Sequence, residues 1–232
     1  MANAEQKQQG DGGRFVGTTW QDLLDLETVD VPEYLRIQNN PDMGDEDLSV
    51  DRYISQEFFN KEKEEMWPRV WQMACREEEI PEPGDHHVYW IIDRSVIVTR
   101  TPSGEIKGYI NSCRHRGRCL RDESGSVDKF RCPFHGATWD LEGQFQGIPN
   151  QWDFEHIEGR DMSLPQVKVA TWGGFVFINF DQDAPPLEDY MEVLPDHFKR
   201  FPLEEYFTGV HVQRVMNCNW KVGAEAFMES WH

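Results

Sequence analysis

Four side chains between residues 113 and 135 have the types and the spacing to hold metal. Cys113 and His115 form a Cys-x-His pair, and Cys132 and His135 form a Cys-x-x-His pair. Sixteen residues separate His115 from Cys132, room for a turn and a short strand. Each half therefore offers one thiolate and one imidazole. A structural zinc finger more often groups its cysteines in one half and its histidines in the other. Two mixed halves suit a cluster of two unlike irons, one held by the thiolates and the other by the imidazoles. With two ferric irons, two sulfides and two thiolates such a cluster is formally neutral, whereas four thiolates would leave it doubly negative. The less negative cluster takes an electron more readily, at about −150 to +300 mV against about −400 mV for plant-type ferredoxins. A structural zinc site, or unrelated core Cys and His residues, is the plainer alternative.

The neighbours of the four suit the same task. Gly117 and Gly136 each follow a histidine closely and allow tight backbone approach. Pro133 stiffens the second loop. Phe134 and Trp139 can shield a cluster from water, though either could be an ordinary core aromatic. With these residues in view, CRHRG followed by CPFHG resembles the Rieske domain of ring-hydroxylating oxygenase alpha subunits. The resemblance implies a [2Fe–2S] cluster with Cys113, His115, Cys132 and His135 as ligands. Respiratory and photosynthetic Rieske proteins carry an extra cysteine in each loop, joined as a disulfide. Here Phe134 stands in the second place and Cys119 one residue beyond the first, so no such bridge is expected.

Other elements must position these loops. A polar, Gly-rich start (1–13) reads as disordered. Residues 18–37 hold apolar residues at helical spacing, as an arm on a neighbouring subunit or as a plain surface helix. Ser55 is an N-cap candidate, with Ile54 and Phe59 at hydrophobic-staple positions. The helix it opens ends at Pro68 and is scaffold. Period-two alternation then predicts strands from His86 to Asn111, with Asp93-Arg94 as a tight hairpin turn. His86 and His87 lack useful partners and are expected at the surface. ATWD and QFQ flank the Leu141-Glu142-Gly143 turn, 149–165 is irregular, and two strands surround Trp172-Gly173-Gly174. The fold class expected is α+β: a small antiparallel β Rieske domain over 68–183, after an N-terminal arm and scaffold helix (1–67). A linker at Asp181–Pro186 leads to a helical stretch, Leu187–Phe201, interrupted by Pro195. Tyr206–Met216 alternates like a strand, and a helix is expected from Trp220.

The last helix carries a second candidate site. Glu225, Glu229 and His232 fall on one face at i, i+4 and i+7. On spacing alone this is more often a solvated stripe. NWK followed by E-x-F-x-E-x-x-H resembles the opening of the catalytic domain of the same oxygenases. That resemblance implies an α/β helix-grip-like domain beginning at 184, with His232 the first ligand of a mononuclear Fe(II). It implies Glu229 as the acid that bridges the cluster of one subunit to the iron of the next. The second histidine and the aspartate of the 2-His-1-carboxylate triad fall outside the 232 residues, as expected of an N-terminal part. Ala226 and Trp231 depart from the asparagine and tyrosine of many members.

The implied activity is a terminal oxygenase. Electrons come from an NAD(P)H-linked reductase, with or without a ferredoxin, and O2 is activated to hydroxylate an aromatic or related small organic substrate. Splitting two metals between neighbours implies a closed homotrimer, with or without beta subunits. Composition agrees. A net charge of −19 argues against nucleic acid as a partner. The absence of an apolar run of about eighteen residues argues against a membrane span. Cys75, Cys119 and Cys218 are expected as reduced thiols of a cytoplasmic protein. The rival readings are a Rieske electron carrier with no chemistry of its own and a zinc-stabilised interaction module.

Overall fold

The computed structural model describes residues 20–36 and 46–228. The chain divides into two units, Met1–Val50 and Asp51–His232. The first holds two short helices, α1 (Trp20–Leu24) and α2 (Glu33–Arg36). They are tied by the Gln21 amide donating to the Arg36 carbonyl at 2.9 Å and by an Arg36–Asp25 ion pair at 2.7 Å.

The second unit opens with α3 (Asp51–Ile54) and α4 (Gln56–Lys61). Ser55 caps α4 as expected, its hydroxyl accepting from the Phe58 amide at 3.3 Å. Ile54 is 76% exposed, so the staple expected there buries nothing. Past Lys61 the helix widens into a π turn (Glu62–Met66), with the Trp67 amide donating to the Glu62 carbonyl. This turn carries the Glu62 side chain inward, where it meets Lys221.

Ten strands follow: β1 (Gln72–Arg76), β2 (Asp85–Ile91), β3 (Arg94–Arg100), β4 (Ile106–Ile110), β5 (Gly125–Ser126), β6 (Phe130–Arg131), β7 (Thr138–Trp139), β8 (Phe145–Gly147), β9 (Gln166–Trp172) and β10 (Phe175–Asn179). Seven form one antiparallel sheet in the order β1-β10-β9-β4-β3-β2-β5, and β6-β7-β8 form a second. The hairpin turn after β2 is Ile92-Asp93, because Ile91 pairs with Arg94; the expected Asp93-Arg94 is one residue late. Ile92 takes φ +54° there, so the turn is set by the strands and not by its own residues. Gly173 and Gly174 (φ +58° and +79°) make the turn between β9 and β10 that a two-residue hairpin favours.

β3 lies at the centre, and its apolar run is buried on both faces. Val96 and Val98 point into one core with Cys75, Ile80, Val167, Val176 and Ile178. Ile97 points into another with Tyr109, Leu120, Phe130, Trp139, Leu141 and Leu164, and that second core also encloses Cys113 and Cys132. Strand burial on both faces explains why this run does not alternate with polar residues.

Beyond β10 the helical stretch is split into α5 (Leu187–Met191) and α6 (Leu194–Phe198). The break falls at Glu192, with φ +51°. Pro195 lies in the first turn of α6, where its missing N–H costs nothing. The strand expected at Tyr206–Met216 does not form: among the described residues no neighbouring strand pairs with it. α7 (Trp220–Glu225) forms as expected, with Asn219 accepting from the Lys221 amide at 3.0 Å. Among the described residues no helix is long and apolar enough to cross a membrane.

Candidate metal centre

The two Cys/His motifs sit on two loops with one backbone design. In the first, the Cys113 amide donates to the Arg118 carbonyl (2.8 Å) and the Gly117 amide to the Cys113 carbonyl (2.9 Å). In the second, the Cys132 amide donates to the Ala137 carbonyl (2.8 Å) and the Gly136 amide to the Cys132 carbonyl (3.0 Å). Each turn closes on a glycine four residues after its cysteine, at φ +74° and +77°. Only glycine takes that conformation cheaply. The histidines are one place out of step, third in the first turn and fourth in the second. The repeat was present in the sequence as two Cys-x-x-x-Gly spacings, but the differing histidine positions hid it.

Each loop hangs from the core. The first follows β4, whose Tyr109 is fully buried and donates its hydroxyl to the Leu141 carbonyl at 3.1 Å. The second is the connection between β6 and β7. Trp139 at its foot is fully buried and donates its indole N–H to the Met162 carbonyl at 2.7 Å. It packs in the core that also encloses Cys113 and Cys132. Phe134 is instead 61% exposed and stacks on His135, centroids 3.9 Å apart. It covers an imidazole face and not the sulfurs.

The result is a polar gradient. Cys113 and Cys132 are 5% and 2% exposed, whereas His115 and His135 lie at the surface. The two imidazoles stand 5.0 Å apart, tilted by 58°. Burial raises the Cys113 thiol above its ordinary pKa; the backbone N–H groups of His115 and Arg116 oppose this, and the adjacent Cys132 thiol adds to it. A metal would overcome this by removing the proton outright. A cleft of about 540 Å³ opens beside the four, lined by Cys113, His115 and His135 and by Phe154, Ile157 and Met162.

These residues fit a two-iron cluster. Two thiols are paired inside and two imidazoles outside, and the adjoining cleft is far larger than one ion needs. The five cysteines are all free, so Cys119 forms no bridge.

Two expectations are corrected and two lie out of view. His86 is 1% exposed, not a surface residue: β2 turns it into the core beside Phe130. His87, its neighbour on the opposite face, is half-buried and faces Glu79 at 3.5 Å. Glu229 and His232 lie outside the described residues. Glu225, at the end of α7, accepts from the Tyr53 hydroxyl at 2.7 Å and pairs with Arg52 at 3.2 Å. Sequence reasoning also missed Asn111. Its carbonyl accepts from the Leu120 and Arg121 amides and its NH2 donates to the Arg121 carbonyl, which fastens the far end of the first loop. An asparagine at a strand end was the available signal.

Comparison with known proteins agrees with this geometry. Residues 70–168 match the family described as Rieske [2Fe-2S] domain. The chain is 32% identical over 182 residues to the chlorobenzene dioxygenase subunit alpha of Cupriavidus sp. (strain PS12), covering 75% of this chain and 40% of that one. It superposes on naphthalene 1,2-dioxygenase from Rhodococcus sp. with a TM-score of 0.58 and 35% identity, over 62% of this chain and 33% of that one. A quaternary ammonium Rieske monooxygenase in its apo form gives a TM-score of 0.72 at 26% identity, over 79% and 54%. Residues 70–168 therefore form a Rieske [2Fe–2S] domain, and the chain is similar to Rieske oxygenase alpha subunits, spanning about 40% of the length of the curated relatives it matches.

Proposed function

We propose that this chain is the electron-receiving part of a terminal oxygenase that hydroxylates an aromatic or related organic substrate. In this reading residues 68–183 are the Rieske domain and 184–232 begin the catalytic domain. The observation that supports it best is the gradient from two buried thiols to two exposed imidazoles. When bound, the [2Fe–2S] cluster supplies a one-electron store and a mononuclear Fe(II) in the longer protein supplies O2 activation.

The chain's own residues divide the work. Cys113 and Cys132 hold the buried end, where Trp139, Leu120 and Ile97 exclude water. The amides of His115 and Arg116 point at the Cys113 sulfur and offset its charge. His115 and His135 hold the outer end and present their ring edges at the surface, where an electron can enter or leave. Glu229 would carry the path onward, and His232 would be the first ligand of the second iron. α7 supports an oxygenase over a simple carrier, since it is capped and bonded to α3 in front of those two residues. Electrons would come from an NAD(P)H-linked reductase, with or without a ferredoxin. Assembly would be a homotrimer, with or without beta subunits.

EPR tests the cluster. The chain reconstituted with iron and sulfide should give a [2Fe–2S] signal after dithionite, and His115→Ala should abolish it. A colourless chain holding one divalent ion would overturn the reading. In the full-length enzyme Glu229→Gln should leave the signal intact and slow electron delivery to the second iron.

A further inference from the structure

His86 belongs to neither loop, yet it touches the roots of both. Its Nε2 lies 3.1 Å from Arg121 Nε. Arginine has only donors, so Nε2 is the acceptor. The proton then sits on Nδ1, which faces the Gly84 carbonyl at 3.3 Å. Arg121 is the residue whose backbone Asn111 grips at both its amide and its carbonyl, at 3.0 and 2.6 Å. That grip closes the segment that begins at Cys113. On its other side the imidazole meets Phe130 edge to face, centroids 5.9 Å apart at 89°. Phe130 is fully buried and stands two residues before Cys132. The crossover between the loops also wraps the histidine: β5 pairs Gly125 with His86, and the Val88 amide on the same strand donates to the Ser124 hydroxyl at 3.0 Å.

We propose that His86 is a positioning residue for the cluster, a neutral buried imidazole that fixes the first loop through Arg121 and the second through Phe130, and so sets the separation of the two ligand pairs. It rests on the reading of Cys113, His115, Cys132 and His135 as the cluster ligands. A cluster spans both loops, so an error in their spacing strains every metal bond, whereas either loop alone would tolerate it. Burial favours the neutral form that the arginine contact needs. Residues that orient metal ligands without touching metal typically change affinity by about 10- to 100-fold when removed.

The test compares four variants of the full chain reconstituted with iron and sulfide. His86→Gln keeps an acceptor for Arg121 and a donor for Gly84. His86→Leu keeps neither. Arg121→Met removes the contact from the other, half-exposed side, where folding is safer. The fourth combines His86→Leu with Arg121→Met. His86→Gln should retain the wild-type EPR signal and midpoint potential. His86→Leu and Arg121→Met should each shift the g values and lose cluster to a chelator about tenfold faster. The double variant should be no worse than His86→Leu, because both act through one contact. If His86→Leu and Arg121→Met lower the urea midpoint but leave EPR, potential and cluster loss unchanged, the proposal is overturned. Failure of the wild-type chain to take up a cluster would instead overturn the assignment of the ligands.

Discussion

At the scale of single residues, the two loop glycines separate two kinds of cost. Both adopt positive φ, which a side chain pays for with about 1–2 kcal/mol. A methyl group on Gly117 would meet only the Ser112 hydroxyl, at 3.7 Å. On Gly136 it would press on Pro149 at 3.0 Å and on the Arg131 guanidinium at 3.3 Å. Gly117→Ala should therefore cost about 1–2 kcal/mol in urea unfolding, and Gly136→Ala measurably more. Equal losses would show that Pro149 yields freely. The histidines give a pH prediction. Burial holds both His86 and His87 below the ordinary histidine pKa. For His86, Arg121 acts with burial, while the Gly84 and Glu123 backbone and Asp85 oppose it. For His87, Glu79 opposes burial and His211 reinforces it. The unfolded chain then binds more protons, so stability is intact above the unfolded value of about 6.5 and falls as pH drops through the lower folded values. The urea midpoint should be flat from about pH 7 to 8 and decline below about 6.5, with a shallower decline in His86→Gln. Loss confined to the carboxylate range below about pH 4.5 would count against it.

At the scale of elements, α7 is fixed to the π turn by a buried ion pair. Lys221 Nζ and Glu62 Oε1 are 2.6 Å apart, with side chains 6% and 7% exposed. The ammonium also lies over the rings of Phe58 and Trp220, at 5.1 and 5.2 Å. Glu62 Oε2 has no partner among the described residues, so the pair is not fully compensated. Breaking one side should be worse than replacing both. Lys221→Met leaves a buried, unpaired carboxylate and should cost about 3–5 kcal/mol, whereas adding Glu62→Leu should recover most of it. Urea midpoints of the two single variants and the double variant measure this directly. Neither partner was legible as such. Glu62 is one of three glutamates in KEKEE and reads as a solvated charge, and only the π turn rotates it inward. What was legible is local: the Ser55 cap, the Gly-Gly hairpin and the helix from Trp220 each depend on neighbouring residues alone. The cluster motif was legible for the same reason, because ligands, glycines and proline lie within a few positions. His86 and Asn111 were not, because their partners come from strands and loops brought together by the sheet.

At the scale of the whole molecule, alternation in sequence records which residues can share a face, not whether a partner strand is there. Tyr206–Met216 shows the difference. Its apolar residues remain in water: Phe207 is 80% exposed, Val210 80%, Val212 77% and Val215 92%. The segment is anchored at its start, where Arg76 donates to the Tyr206 carbonyl at 2.5 Å and the Thr208 amide and hydroxyl donate to Glu78. Past Thr208, among the described residues, no hydrogen bond holds it until Asn219, whose side-chain amide donates to the Tyr53 carbonyl at 3.0 Å. A stretch with few buried contacts and no backbone pairing opens at almost no free-energy cost, while the strands around β3 open only with the whole domain. Proteases read that difference. Within the second unit, brief trypsin digestion should cut first after Arg214 and leave the sheet whole, with Arg94 and Arg100 protected in β3. Cleavage after Arg94 or Arg100 at the same rate would mean that the sheet and this segment open together, and the contrast between them would be lost. Longer forms that supply a pairing strand should protect Arg214 while leaving the rates at β3 unchanged.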